Sequence, residues 1–379
     1  MSQPVRILHL HSSFSLGGKE ARAARLMNAW QDRAVHSIVS GVPDQLSAQD
    51  AIDQDVAVSF PQDAPLLTGR PALRRYLALA RYMQQFDLVL SYNWGAMDGV
   101  MAHRLFSPFM RLPPLIHHED GFNSDEANGL KSSRNNFRRM ALGSAHAVVV
   151  PSAKLADIAL RQWGQSTNKV RLIRNGIDVG RYGVRPKQGI ISGLNRSPGK
   201  LLVGTLAGLR PVKNLRRLVR AVASHDDKLQ LVIVGEGPER GAIRAEAAAC
   251  GLSDLCLPGF MNEPWNFIGL FDIFALSSDS EQFPISLVEA MAAACPAVAT
   301  NVGDVVDMVA PENRPFIVPA SDESAFSVAL QKLANDTDGR AKIGSANQAK
   351  ARSCFAEVDM IGAYANLYAE PLASAAALM

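Results

Sequence analysis

FDIFALSSDSEQFPISLVEAMAAACPAVAT, residues 271–300, is the stretch whose reading decides the fold. Phe271 to Leu276 is an apolar run broken only by Asp272, and it reads as a buried strand. A polar loop follows from Ser277 to Phe283. Pro284 fits the first turn of a helix, where its missing N–H costs nothing, and the helical pattern runs to about Ala294, short of Pro296. Ala297 to Thr300 is a second uncharged strand. Strand, loop, helix and strand in this order form one unit of a parallel sheet covered on both faces.

The same alternation extends outward in both directions. Upstream lie strands at Leu201–Leu209, Leu229–Val234 and Leu255–Leu257, with a helix at Leu215–Ala223 and an Ala-rich helical run ending near Ala249. The N-terminal half repeats the pattern, with strands at Val5–His11, His36–Gly41, Asp87–Ser91, Leu115–His117 and Ala147–Val150 and a helix from about Lys19 to Trp30. The expected class is α/β, with two doubly wound domains and a cleft between them. The expected boundaries are 1–180 for the first domain, 181–200 for a Gly-, Ser-, Pro- and Arg-containing linker, and 201–354 for the second domain. A length of 379 residues suits two such cores.

Composition narrows the class. Apolar residues make up 47% and charged residues 20%, the balance of a soluble globular protein. A net charge of +3 is too small to argue for a nucleic-acid partner. The clusters Arg134, Arg138, Arg139 and Arg216, Arg217, Arg220 read as solvated helix faces, with an acidic lipid surface as the alternative. Cys250, Cys256, Cys295 and Cys354 form no CxxC pair and no metal-ligand spacing, so they are expected to be reduced and mostly buried in a cytoplasmic protein. MSQPVRILHLHSSF holds too short an apolar run for a signal peptide, and no stretch of about 18 uncharged apolar residues occurs.

Four places carry chemistry. The first is Glu281 to Glu289, at the carboxyl end of a strand and the start of a helix. Helix N–H groups there suit a diphosphate, and the two carboxylates suit hydroxyl-rich groups, a sugar and a ribose. A surface loop plus one helix-face glutamate is the plainer alternative. The second is VGTLAGLRPVKNLRRL, where Arg210 and Lys213 follow a strand and could neutralise a leaving diphosphate; ordinary surface basicity is the alternative. The third is Gly17-Gly18, between the first strand and first helix, where the backbone can approach a ligand, although turns use such pairs constantly. The fourth is IHHEDGF, with His117, His118, Glu119 and Asp120 at a strand end. Adjacent strand residues face opposite ways, which argues against shared metal ligation and leaves an acceptor-side, sugar-contacting or structural role.

Glu281-Gln282-Phe283-Pro284-Ile285-Ser286-Leu287-Val288-Glu289-Ala290-Met291 resembles the E-x7-E signature of family 4 glycosyltransferases, of the bacterial group 1 type. Gly17-Gly18-Lys19-Glu20, Asn175-Gly176-Ile177-Asp178 and Gly235-Glu236-Gly237-Pro238 resemble further landmarks of that family, in the same order. The resemblance implies the GT-B fold, two Rossmann-like domains, with a last helix over 355–379 that returns to the first domain. It implies a retaining transfer of sugar from a nucleotide-sugar donor, UDP- or GDP-linked, with no bound metal and no other cofactor. By the same resemblance Glu281 contacts the transferred sugar and Glu289 the ribose. The segment Phe283, Pro284, Ile285, Ser286, Leu287 meets the diphosphate and sugar, Lys213 and Arg210 bind phosphate, and Gly17 and Gly18 approach it. Gly235, Glu236, Gly237, Gly259 and Phe260 complete the donor pocket. His117, or failing that His118, corresponds to the family's histidine near the reacting sugar. Two departures stand out: Ala207-Gly208-Leu209 replaces the family's GRL, displacing the arginine to Arg210, and Gln282 replaces the glycine of EGFP.

The mechanism expected from this resemblance has Arg210, Lys213 and the helix N-terminus stabilising the departing diphosphate. The acceptor hydroxyl attacks from the leaving-group face. The expected acceptor is a glycan or lipid-linked hydroxyl in cell-envelope or exopolysaccharide synthesis, reached at the inner face of the cell membrane. A nucleotide-sugar epimerase and a non-catalytic sugar-nucleotide-binding protein are the rival readings on the same architecture.

Overall fold

The computed structural model describes residues 3–122, 126, 129–184 and 186–372. The chain divides into two compact units, Met1–Asn175 with Asp359–Met379, and Gly176–Val358. The segment 181–200, expected to be a linker, belongs to the second unit, where Tyr182 and Ile191 are buried in the core. Their apolar side chains are the physical reason, hidden among the glycines and prolines around them.

The first unit runs β1 (Val5–His11), α1 (Gly18–Trp30), β2 (Ala34–Ser40), β3 (Val58–Ser59), α2 (Leu73–Met83), β4 (Leu88–Tyr92), α3 (Met97–Phe106), β5 (Leu115–His118), α4 (Ser132–Ala141), β6 (Ala147–Val150), α5 (Ala153–Arg161) and β7 (Val170–Leu172). The strands form one sheet in the order β3-β2-β1-β4-β5-β6-β7, every neighbouring pair parallel. Alternate strand residues face opposite sides, so Ile7, Leu90 and Ile116 pack in one core while Leu8, Val89 and Val148 pack in the other. Met360, Tyr364, Leu367 and Tyr368 complete the first of these cores.

The second unit runs β8 (Leu201–Leu206), α6 (Leu215–Ala223), β9 (Leu229–Val234), α7 (Arg240–Ala249), β10 (Leu255–Gly259), β11 (Ile273–Leu276), α8 (Ile285–Ala292), β12 (Ala297–Thr300), α9 (Val305–Met308), β13 (Ile317–Val318), α10 (Glu323–Asn335) and α11 (Thr337–Cys354). A last helix, α12, spans Glu357–Ala369, and from Asp359 onward it belongs to the first unit. The second sheet has the order β10-β9-β8-β11-β12-β13, again all parallel. Leu202, Phe274, Leu287 and Met291 fill one side, and Val203, Leu218, Ile273 and Phe326 the other.

Polar side chains finish what the apolar faces begin. Asp322 and Asp336 cap α10 and α11, each accepting from a backbone N–H three residues on at 2.8 Å. Asn313 pairs with both backbone groups of Ala297 at 2.9 and 2.7 Å. Buried Asn347 bridges Ala310 N at 3.0 Å, Cys295 O at 3.1 Å and Asn313 Oδ1 at 2.8 Å.

Candidate functional site

In the second sheet the chain order reverses between β8 and β11. Connections leave those strands toward opposite sides, and in sheets of this kind such a reversal marks the carboxyl ends where ligands bind. The loops after β8 and β11 meet there and are tied together. Asp279 N donates to Val212 O at 2.8 Å, and Ser277 Oγ to Lys213 O at 3.0 Å. Arg217, only 7% exposed, donates to Ser277 O and to Asp279 Oδ1, both at 2.9 Å. Asn214, in the left-handed region with φ 41°, caps α6 and also holds Asp279 Oδ1 at 3.0 Å.

This framework brings Lys213 and Glu281 together. Lys213 Nζ lies 2.5 Å from Glu281 Oε1, and Ser278 Oγ donates to the same oxygen at 2.7 Å. α8 begins beside them. Pro284 is its cap residue, one position earlier than the first-turn place expected for it. Phe283 and Leu287 send their side chains into the core, which leaves backbone as what they can offer at the helix N-terminus. Ile285 and Ser286 are half-buried. Glu289 is buried and accepts from Tyr182 OH at 3.0 Å.

The remaining residues expected around this site occupy neighbouring strand ends. Gly235 and Gly237 follow β9 with φ of 142° and 155°. A Cβ on Gly235 would stand 1.9 Å from Ala207 O, and one on Gly237 2.5 Å from Leu209 O. Their absence lets the loop after β9 lie against the loop that carries Arg210. Glu236 accepts from Arg240 Nη1 at 3.1 Å, the Gly259 carbonyl accepts from Gly235 N at 2.8 Å, and Phe260 is exposed. Arg210 is exposed at the start of the turn that ends in Lys213.

The first unit has its own reversal, between β1 and β4. Gly17 is the cap residue of α1 and Gly18 its first residue, both exposed. Lys19 pairs with Glu20, and burial pulls its ammonium down to about 8. Arg22 binds both oxygens of Asp120, at 2.5 and 2.8 Å, and Asn175 Oδ1 at 2.8 Å. This pairing offsets burial and holds the Asp120 carboxyl below the usual range.

The two adjacent histidines part company. His117 Nδ1 meets Ser91 Oγ at 2.9 Å, and its Nε2 lies 3.7 Å from Glu119 Oε2, whose carboxylate is held by Arg138. His118 faces the other way. Its ring stacks on Tyr92 at 4.6 Å, its Nδ1 donates to Ser91 O at 3.2 Å, and Tyr368 OH donates to its Nε2 at 2.6 Å. On that same face His9 joins Tyr92 OH at 3.2 Å and His36 at 3.0 Å, and His11 stacks on Tyr92 at 4.0 Å. All four of these imidazoles are buried, and burial pushes their pKa values down, to about 4 for His36 and about 3 for His118.

Two expectations need correction. Arg138 and Arg217 are not solvated: Arg138 is fully buried among Trp94, Phe122 and Trp163, and Arg217 pins the loop after β11. A carboxylate or carbonyl partner is what lets an arginine go inside, and local charge pattern does not reveal it. Cys256 and Cys295 are buried, but Cys250 and Cys354 are exposed at helix ends. Among the described residues no group of three His, Cys, Asp or Glu is arranged to hold a metal ion.

Sequence reasoning missed Tyr182, Arg217, Asp279 and the histidine face. His9 and His11 stand two apart on one strand, so their shared face was available from spacing alone. Tyr182 and Asp279 gave no such signal, because their partners are distant in the chain.

Residues 16–181 match the Glycosyltransferase Family 4 model, and residues 187–350 match the model for glycosyl transferases group 1. The chain belongs to these glycosyltransferases. It is 29% identical over 158 residues to an O-antigen chain mannosyltransferase C of Escherichia coli, a match covering 40% of this chain and 42% of the relative. It is 24% identical over 304 residues to a D-inositol 3-phosphate glycosyltransferase of Streptomyces avermitilis, covering 75% of this chain and 65% of that protein. The chain thus spans less than two thirds of the length of these curated relatives. HepE of Anabaena, solved in complex with UDP, superimposes with a TM-score of 0.78 at 21% identity, over 95% of this chain and 98% of that one. The fold is GT-B, two Rossmann-like α/β domains.

Proposed function

We propose that the protein is a retaining glycosyltransferase that moves a sugar from a UDP- or GDP-linked donor to a hydroxyl of a glycan or lipid-linked acceptor. The observation that carries this reading is the Lys213–Glu281 pair at 2.5 Å, set at the β8/β11 reversal beside the N-terminus of α8. A diphosphate placed there competes with Glu281 for the Lys213 ammonium and takes further hydrogen bonds from α8 backbone amides. Glu281, once released, accepts from sugar hydroxyls. Arg210 adds a second positive charge as the leaving group develops negative charge. Glu289 holds the ribose, and the loops bearing Gly235, Glu236, Gly237, Gly259 and Phe260 border the nucleotide.

In the first unit, His118 is the better choice for the histidine near the reacting sugar. It shares its face with the Arg22–Asp120 pair, whereas His117 lies on the other face of the sheet with Glu119 and Arg138. A role in cell-envelope or exopolysaccharide synthesis is supported by the named activity of the Escherichia coli relative, an O-antigen chain mannosyltransferase; we place that role at the cytoplasmic face of the membrane. No helix among the described residues is long and apolar enough to cross a membrane.

The test is a thermal-stability screen against UDP, GDP and their sugars, followed by transfer assays on Lys213→Ala. The expected result is stabilisation by one nucleotide series, with transfer about a hundredfold or more lower in the variant. Unchanged turnover in Lys213→Ala would refute the assignment.

A further inference from the structure

Glu289 is the one charged residue of α8, with Leu287, Val288, Ala290 and Met291 all buried around it. Its own exposure is 8%. Across 107 residues of chain, Tyr182 OH donates to its Oε1 at 3.0 Å. Tyr182 is 6% exposed and lies in the short turn Arg181–Gly183. That turn is braced: Gly183 N donates to Gly180 O at 3.2 Å, and Gly180 N to Asp178 Oδ1 at 3.2 Å. The Tyr182 ring meets Trp265 edge-on at 6.3 Å, and the Arg181 guanidinium covers Trp265 at 4.6 Å.

A glutamate side chain on a helix has several rotamers, and only some aim its oxygens at a ligand. A buried phenol packed on a braced turn favours one of them. We propose that Tyr182 is a positioning residue for nucleotide recognition: its hydroxyl holds the Glu289 carboxylate in the orientation that accepts from vicinal ribose hydroxyls. This rests on the donor-site reading given above.

Tyr182→Phe tests it, since the ring and its packing on Trp265 remain and only the hydroxyl goes. Binding to the full chain is measured by calorimetry with UDP, or GDP if that is the nucleotide the wild type binds, and with the 2′,3′-dideoxy form of the same nucleotide. Wild-type protein is expected to prefer the ribose form. Tyr182→Phe should lose about tenfold in affinity for the ribose form, the usual worth of one hydrogen bond to a charged group, and stay within about twofold for the dideoxy form. In turnover, KM for the donor rises while kcat holds. Equal weakening toward both nucleotides makes Tyr182 a structural support only and overturns the inference, as does no change toward either. A wild type that binds neither nucleotide overturns the donor-site reading and this inference together, and the wild-type arm alone identifies that case.

Discussion

Lowering the pH from 7.5 to 5.5 should destabilise the first unit severely, because four neutral imidazoles, His9, His11, His36 and His118, are buried on one face of its sheet. Their folded pKa values lie below the unfolded value of about 6.5. The unfolded chain therefore takes up protons that the folded chain refuses. The stabilisation is fully present above pH 6.5 and is lost as pH falls from there toward 4, the region of His36. At pH 5.5 each such histidine costs about 1.4 kcal/mol, and four together cost about 5 kcal/mol, comparable with the whole stability of many domains. Carboxylates such as Asp120, held below the usual range, titrate lower still and leave this window to the histidines. Urea unfolding followed by tryptophan fluorescence is a suitable assay, since Trp30, Trp94 and Trp163 belong to the first unit and Trp30 stacks near His36 at 6.3 Å. His36→Asn should remove about a quarter of the pH dependence. A stability that changes by less than about 1 kcal/mol between the two pH values would refute the reasoning.

Three further outcomes follow from contacts described above. Asp120→Asn leaves the buried Arg22 guanidinium without its carboxylate and should cost about 3–5 kcal/mol, read from the urea midpoint. Asn347→Ala strands Ala310 N and Cys295 O beneath α11 and should cost about 2–4 kcal/mol; calorimetry of the second unit's transition checks it. Asp279→Ala removes one of the two ties that Arg217 makes to the loop after β11 and the Asn214 tie with it, and should lower transfer more than it lowers the melting temperature.

Most of the architecture was legible because strands of a parallel sheet covered on both faces are uninterrupted apolar runs. Val5–His11, Ala147–Val150, Leu229–Val234 and Ala297–Thr300 fall where the residues alone put them. Three of the four edge strands were not legible: Val58–Ser59, Val170–Leu172 and Ile317–Val318 are two or three residues long and carry no pattern, whereas the fourth, Leu255–Gly259, was read at Leu255–Leu257. In the candidate site, Glu281 and Lys213 could each be singled out from a strand-end position. Their pairing could not, since the β8/β11 reversal that joins them is a property of strand order. Buried arginines failed for a related reason. Arg138 and Arg217 look like surface charge until Glu119 and Ser277 arrive from other elements.

The loop after β9 has a consequence at the level of inheritance. Every one-base change in a glycine codon that alters the amino acid without ending the chain introduces a side chain with a Cβ. At Gly235 that atom falls 1.9 Å from the Ala207 carbonyl oxygen, in a backbone conformation other residues rarely adopt. No missense substitution there is milder than alanine, and alanine already collides. Position 235 is thus closed to gradual exploration: a lineage can alter it only together with the backbone of the neighbouring loop.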